Sequence, residues 1–134
     1  MNTYDRKRWD VTIRDWRELL EKRFRKWEES LECFRRFRDD DSVEWVNRDF
    51  AEVNEESKKF NSILSNLIER CNMTKYDLEN YVFELENTIE TAKEKAEKER
   101  AELPHNGYFY GNYSTALSRV HALETIRHYI KERI

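Results

Sequence analysis

The run VEWVNRDFAEVNEESKKFNSILSNLIERC, residues 43–71, decides the fold. Val43, Val46, Phe50, Val53, Ser57, Phe60, Leu64, Leu67 and Cys71 recur at alternating spacings of three and four. That is a heptad seam: only an α-helix brings such positions to one side, and only another helix packs efficiently along it. Ser57 is the one polar residue of the seam.

Upstream, Trp9, Ile13, Trp16, Leu20, Phe24, Trp27, Leu31 and Phe34 repeat at a mean spacing of about 3.6, the α-helical period. This predicts a first helix over about residues 4–37. Asp39, Asp40, Asp41 and Ser42 offer N-caps and place negative charge where a helix dipole favours it. Downstream, Asn72, Met73 and Thr74 break the second helix. Thr74 and Asp77 form a capping-box pattern with Asp in place of Glu. A third helix then runs over about 75–102, with Leu78, Val82, Leu85, Ile89, Ala92 and Ala96 inward. Pro104 ends it. A fourth, capped by Asn112 or Ser114, covers about 113–134, with Leu117, Val120, Leu123, Ile130 and Ile134 inward.

Short connections favour antiparallel neighbours. The expected architecture is therefore all-α, an elongated antiparallel bundle of four long helices with coiled-coil-like hairpins, in one domain spanning 1–134. Folding about position 40 places Cys33 near Asn47 and leaves Cys71 far along the second helix, which excludes a disulfide between them. Folding about position 73 places Ala92, Ala96 and Ala101 opposite Asn54, Phe50 and Trp45.

Composition narrows the function classes. Among 134 residues there are two glycines and one proline, all within 104–111. Glycine-dependent hairpins, dinucleotide loops and phosphate loops are thereby excluded. No apolar run exceeds three residues, so neither a membrane span nor a signal peptide is expected. Two cysteines do not make a disulfide framework, and a cytoplasmic location is the simplest reading. Net charge is −3, but unevenly placed: +4 over 1–38, −7 over 39–56 and zero over 57–134. No serine or cysteine sits in a nucleophile elbow and no carboxylate pair stands out, so the chain is not expected to be an enzyme or to carry a cofactor.

The candidate sites are surfaces. Arg35, Arg36 and Arg38 interleave with Phe34 and Phe37 and form a candidate nucleic-acid patch. The other basic residues of the first helix are mixed with acids over its whole polar face, which reads as a solvated surface. The acidic stretch 39–56 offers a phosphate-like surface to a basic partner, although helix capping accounts for Asp39 to Asp41 alone. His121, Glu124 and His128 share one line of the fourth helix. The two histidines are about 10.5 Å apart by rise alone, too far for one zinc ion, so no metal is expected and solvated histidines are the simpler reading. Arg127 projects into the apolar stripe of the same helix and needs a frayed end, an internal carboxylate or a partner. Tyr76 and Phe83 lie off the apolar line of the third helix, either beneath the first helix or at an interface. Finally, Tyr108, Phe109, Tyr110 and Tyr113 crowd the one loop, where they either close the bundle end or anchor a partner.

A small, charged helical chain of this kind is expected to be a non-enzymatic protein–protein interaction module. It would act as an inhibitor or adaptor of a larger machine, a class that phages and mobile elements encode. The alternatives are a nucleic-acid-associated protein using Arg35, Arg36 and Arg38, and a structural coiled-coil element that forms a homodimer.

Overall fold

The computed structural model describes residues 2–108 and 110–134. Four helices account for nearly all of them: α1 (Thr3–Phe37), α2 (Asp40–Arg70), α3 (Lys75–Glu102) and α4 (Gly111–Lys131). No strand occurs among the described residues, and none of these helices is long and apolar enough to cross a membrane.

Each start has an identifiable cause. Asn2 caps α1 by accepting the Asp5 N–H at 2.8 Å, and Asp39 caps α2 by accepting the Ser42 N–H at 2.8 Å. Asp39 is thus the cap that the triple-aspartate run offers, and α2 begins three residues earlier than its apolar seam. Thr74 and Asp77 form the full capping box of α3: Thr74 Oγ1 accepts the Asp77 N–H, and the Asp77 carboxylate accepts the Thr74 N–H. α4 departs from expectation. It starts at Gly111 behind Tyr110, which makes no side-chain cap, and neither Asn112 nor Ser114 takes that role. The Ser114 hydroxyl donates instead to the Tyr110 carbonyl at 2.8 Å.

α1 and α2 form the antiparallel hairpin that the seam predicts. Its register is set by Ser30 beside Asp49, Trp16 against Phe60, and Asn72 beside Asp5. α4 packs antiparallel against both α1 and α3. The expected α2–α3 hairpin does not form: α3 packs on α4, and no close backbone approach joins α2 to α3. Ala92 and Ala96 are accordingly buried on the α4 side rather than against Asn54 and Phe50, and Ala92 lines a cleft with Glu21 and Ala116. Close backbone approaches run in the order α2–α1–α4–α3, so α1 and α4 form the central diagonal of the bundle and α2 and α3 its outer corners. The reason lies in the residues of α4. Ser114, Ala116, Ser118 and Ala122 are small and buried, which lets α1 and α3 approach its backbone closely.

The core runs along that diagonal. Trp9 is fully buried with its ring edge-on to Tyr81 at 5.3 Å, and Leu20, Phe60, Leu64, Ile126 and Ile130 are buried in the same cluster. Burial, aided by the nearby Asp10 charge, pushes the Tyr81 phenol up to about 12. Arg133 ties the far end together, donating from Nη2 to the Asn61 carbonyl at 2.7 Å and from Nε to Ser65 Oγ at 3.1 Å. Cys33 and Cys71 are free thiols.

Two outcomes test this architecture. Trp9→Ala removes a fully buried indole and is expected to cost about 3–5 kcal/mol in urea unfolding, whereas exposed Phe83→Ala should change stability by less than about 0.5 kcal/mol. The hydrogen bonds from the Thr74 backbone N–H and hydroxyl hold the Asp77 carboxyl below its ordinary range. Ionised Asp77 therefore stabilises the fold above the unfolded-state value near 4, and that contribution is lost as pH falls through the lower folded value. The stability gap between wild type and Asp77→Asn should be constant near neutrality and shrink below about pH 4, as read from urea midpoints.

Candidate interaction surface

The chain reversals α1–α2 and α3–α4 lie at the same end of the bundle, which joins two sequence features that are far apart in number. The Arg36 guanidinium sits over the Tyr110 ring, 5.3 Å from its centroid. The basic end of α1 and the aromatic loop are therefore one surface. Arg36 Nε and Arg35 Nη1 each lie 3.5 Å from a Glu32 carboxylate oxygen, so one acid serves two of the three candidate nucleic-acid arginines. Arg38 closes α1 in a left-handed conformation, φ +50°, with its N–H donating to the Phe34 carbonyl at 2.8 Å. Its position is that of a helix stop, with Asp39 following directly.

In the loop, Tyr108 stands exposed at a positive φ of 62°, while Tyr110 and Tyr113 are half-buried. Phe109 lies outside the described residues. Tyr110 therefore packs back on α1, and Tyr108 is exposed.

Beside this loop, α2 departs from its seam. Val43 and Phe50 are exposed, Phe50 to 46%, and Val46 is half-buried, although all three continue the line that buries Val53, Phe60 and Leu64 lower down. Ser42 and Asp49 are buried in their place. Asp49 accepts the Ser30 hydroxyl hydrogen bond and lies 3.5 Å from Lys26 Nζ and 3.3 Å from Arg48 Nε. Arg23 adds ion pairs to Glu52 at 3.3 Å and Glu56 at 3.4 Å. Adjacent helical residues differ by about 100° in direction. With Asp49 turned towards α1, Phe50 must therefore face the α4 side.

α4 does not come close enough to cover it. α2 and α4 meet low down, where the Phe60 and Tyr129 rings are 6.3 Å apart, and diverge above. Between them lies a groove of about 420 Å³, with Phe24, Phe50 and Val53 on its apolar side and His121, Glu124 and His128 on its α4 wall. The wall is polar, so nothing draws the upper half of α2 inwards.

The histidines are not simply solvated. His121 is half-buried, its ring 5.2 Å from Phe24 and its Nε2 3.0 Å from Glu28 Oε1. His128 instead pairs with Glu132 at 3.3 Å in the open. Glu28 is the residue that sequence reasoning missed: it lies on the flank of the α1 stripe, and the only hint is its phase beside Phe24. Arg127 neither frays nor enters the core. α4 continues past it, and the half-buried guanidinium lies 3.6 Å from Glu124 of its own helix.

Tyr76 and Phe83 are 70% and 66% exposed, so the packing beneath α1 does not occur. α1 meets α3 through Trp9, Tyr81 and the Arg6–Glu84 ion pair, on a different side of α3. The pair forms a second, smaller apolar spot away from the bundle end. Around the end itself, Phe37 (67% exposed), Val43, Trp45 and Tyr108 (55%) are all exposed with Phe50. No protein-family model, curated protein or solved structure matches the chain.

The link between loop and helix is measurable. Cation–π contacts at accessible sites contribute about 0.5–1 kcal/mol. A double-mutant cycle on Arg36→Ala and Tyr110→Ala should return a coupling energy of that size, and each single variant should speed proteolysis within 104–110.

Proposed function

We propose that the chain is a non-enzymatic protein–protein interaction module that acts as an inhibitor or adaptor of a larger protein machine. It binds through the bundle end that carries the α1–α2 turn and the α3–α4 loop. The observation supporting this reading is the exposure of Phe37, Val43, Trp45 and Phe50 within one short stretch of chain. Aromatic anchors of this type supply most of the energy of protein interfaces. Tyr108 adds a further anchor from the loop. The nucleic-acid alternative has less support. Arg35 and Arg36 share Glu32, Arg36 is engaged with Tyr110, and Asp39 to Asp41 follow at once. A surface that tracks a phosphate backbone needs one sign of charge.

The test is affinity capture from the native host with crosslinking, comparing wild type with Phe37→Ser/Trp45→Ser/Tyr108→Ser. All three side chains are exposed, so helix content by circular dichroism should be unchanged. A specific protein retained by the wild type and weakened at least about 30-fold in the variant, the loss of about 2 kcal/mol typical of an anchor, is the expected result. Equal retention by both chains overturns the proposed surface. Retention of nucleic acid at low salt, abolished by changing Arg35, Arg36 and Arg38 to Glu, would establish the alternative instead.

A further inference from the structure

We propose that Asn106 is a site of spontaneous covalent modification: in the folded chain its side chain cyclises onto the Gly107 nitrogen, and water opens the ring to isoaspartate and aspartate. The inference does not depend on the interaction reading above.

Asn106–Gly107 is the one asparagine–glycine pair of the chain. Cyclisation needs the next residue's backbone nitrogen to reach the side-chain carbonyl carbon. A side chain on that residue, a hydrogen bond holding its N–H, or burial away from water each hinder it. None of the three operates here. Glycine has no Cβ to crowd the ring and turns freely. Residues 105–108 are all exposed. Gly107 takes a left-handed φ of +72°, with no atom within 4 Å of the space a Cβ would fill. Its neighbours in the turn are tied: the His105 and Asn106 N–H groups donate to the Glu102 carbonyl at 2.9 and 3.0 Å, and the Tyr108 N–H to the Leu103 carbonyl at 2.8 Å. The Gly107 N–H makes no such bond among the described residues. The reacting nitrogen is the one left unheld. Elsewhere the fold protects. Asn47, Asn54, Asn61, Asn66, Asn80 and Asn87 lie inside helices, where the following N–H is bonded one turn back. After Asn72, the Met73 N–H donates to the Ile68 carbonyl at 3.0 Å. Asn2 and Asn112 precede Thr3 and Tyr113, whose side chains crowd the ring.

The step needs only water. The Gly107 nitrogen gives its proton to solvent and attacks Asn106 Cγ. As the new N–Cγ bond closes a five-membered imide, the bond from Cγ to the amide nitrogen breaks and ammonia leaves with a proton. Water then adds to one of the two imide carbonyls. Opening at Cγ leaves aspartate; opening at the backbone carbonyl leaves isoaspartate, whose main chain runs through Cβ and Cγ. Nothing is oxidised or reduced. Either product sets a carboxylate two residues before Tyr108. Isoaspartate also lengthens by one methylene the turn that the Tyr108–Leu103 hydrogen bond closes.

The experiment ages the folded full chain in mildly alkaline buffer beside the Asn106→Gln chain and a peptide of residues 101–113, with helix content followed by circular dichroism. Digestion and mass spectrometry locate the product, since exchanging amide for acid adds about 1 Da, and electron-transfer fragmentation identifies isoaspartate. Asn106 should convert at least about tenfold faster than any other asparagine of the folded chain, and within about tenfold of its rate in the peptide, a ratio equal to about 1.4 kcal/mol of barrier. Asn106→Gln should stay unconverted at 106, because glutamine must close a larger ring. Ageing should speed proteolysis beside Tyr108 in the wild type and leave Asn106→Gln unchanged. An Asn106 that stays intact in the folded chain while the peptide converts overturns the inference, because the fold would then hold the two atoms apart. Acid formation that is as fast at the other asparagines overturns it too.

Discussion

The rotation of α2 about its own axis depends on one buried carboxylate. Asp49 is almost wholly enclosed between α1 and α2, held by the Ser30 hydroxyl, Lys26 and Arg48. A buried charge deprived of such partners typically costs about 3–5 kcal/mol, more than the burial of a Phe side chain gains, about 1.5–3 kcal/mol. Turning Phe50 into the α1–α2 interface would swing Asp49 away from Lys26 and Ser30. The carboxylate wins, and the apolar seam of upper α2 is carried round to the α4 side.

What meets it there is the polar flank of α4. His121, Glu124, Thr125 and His128 face the groove, and each histidine is engaged with a carboxylate of its own, Glu28 or Glu132. An apolar edge opposite such a wall has little to gain from closing. The helices therefore part above Ser57, and the bundle keeps an open edge next to the end where Arg36 holds Tyr110 and Tyr108 is displayed. The open edge arises from packing that is complete along the α1–α4 diagonal and incomplete along one side.

Much of this was legible in the residue order. The period of Trp9 to Phe34 names the buried face of α1, and Thr74 with Asp77 marks the start of α3 to the residue. Both are local: a helix period and a cap depend on groups within one or two turns. Relations between helices were less legible. The short turn at Asn72 and Met73 suggested that α2 and α3 lie side by side. A tight turn fixes only where two helices meet, and the small residues of α4 drew α3 to the opposite corner. Tyr76 and Phe83, off the apolar line of α3, left two readings open until the approach of α1 through Trp9 and Tyr81 left them bare. His121 looked solvated because its partner, Glu28, lies 93 positions away in sequence.

The sequence by itself determined four helices, their lengths, the stop at Pro104 and the composition of the single aromatic loop, because propensity, capping and chain breaking act over a few residues. Tertiary structure alone decided which stretch of a uniform heptad seam is core and which is surface. Val43, Val46 and Phe50 carry the same pattern as Phe60, Leu64 and Leu67. The difference lies in the register of α1, which supplies Lys26 and Ser30 to Asp49, and in the polar wall that α4 turns towards them.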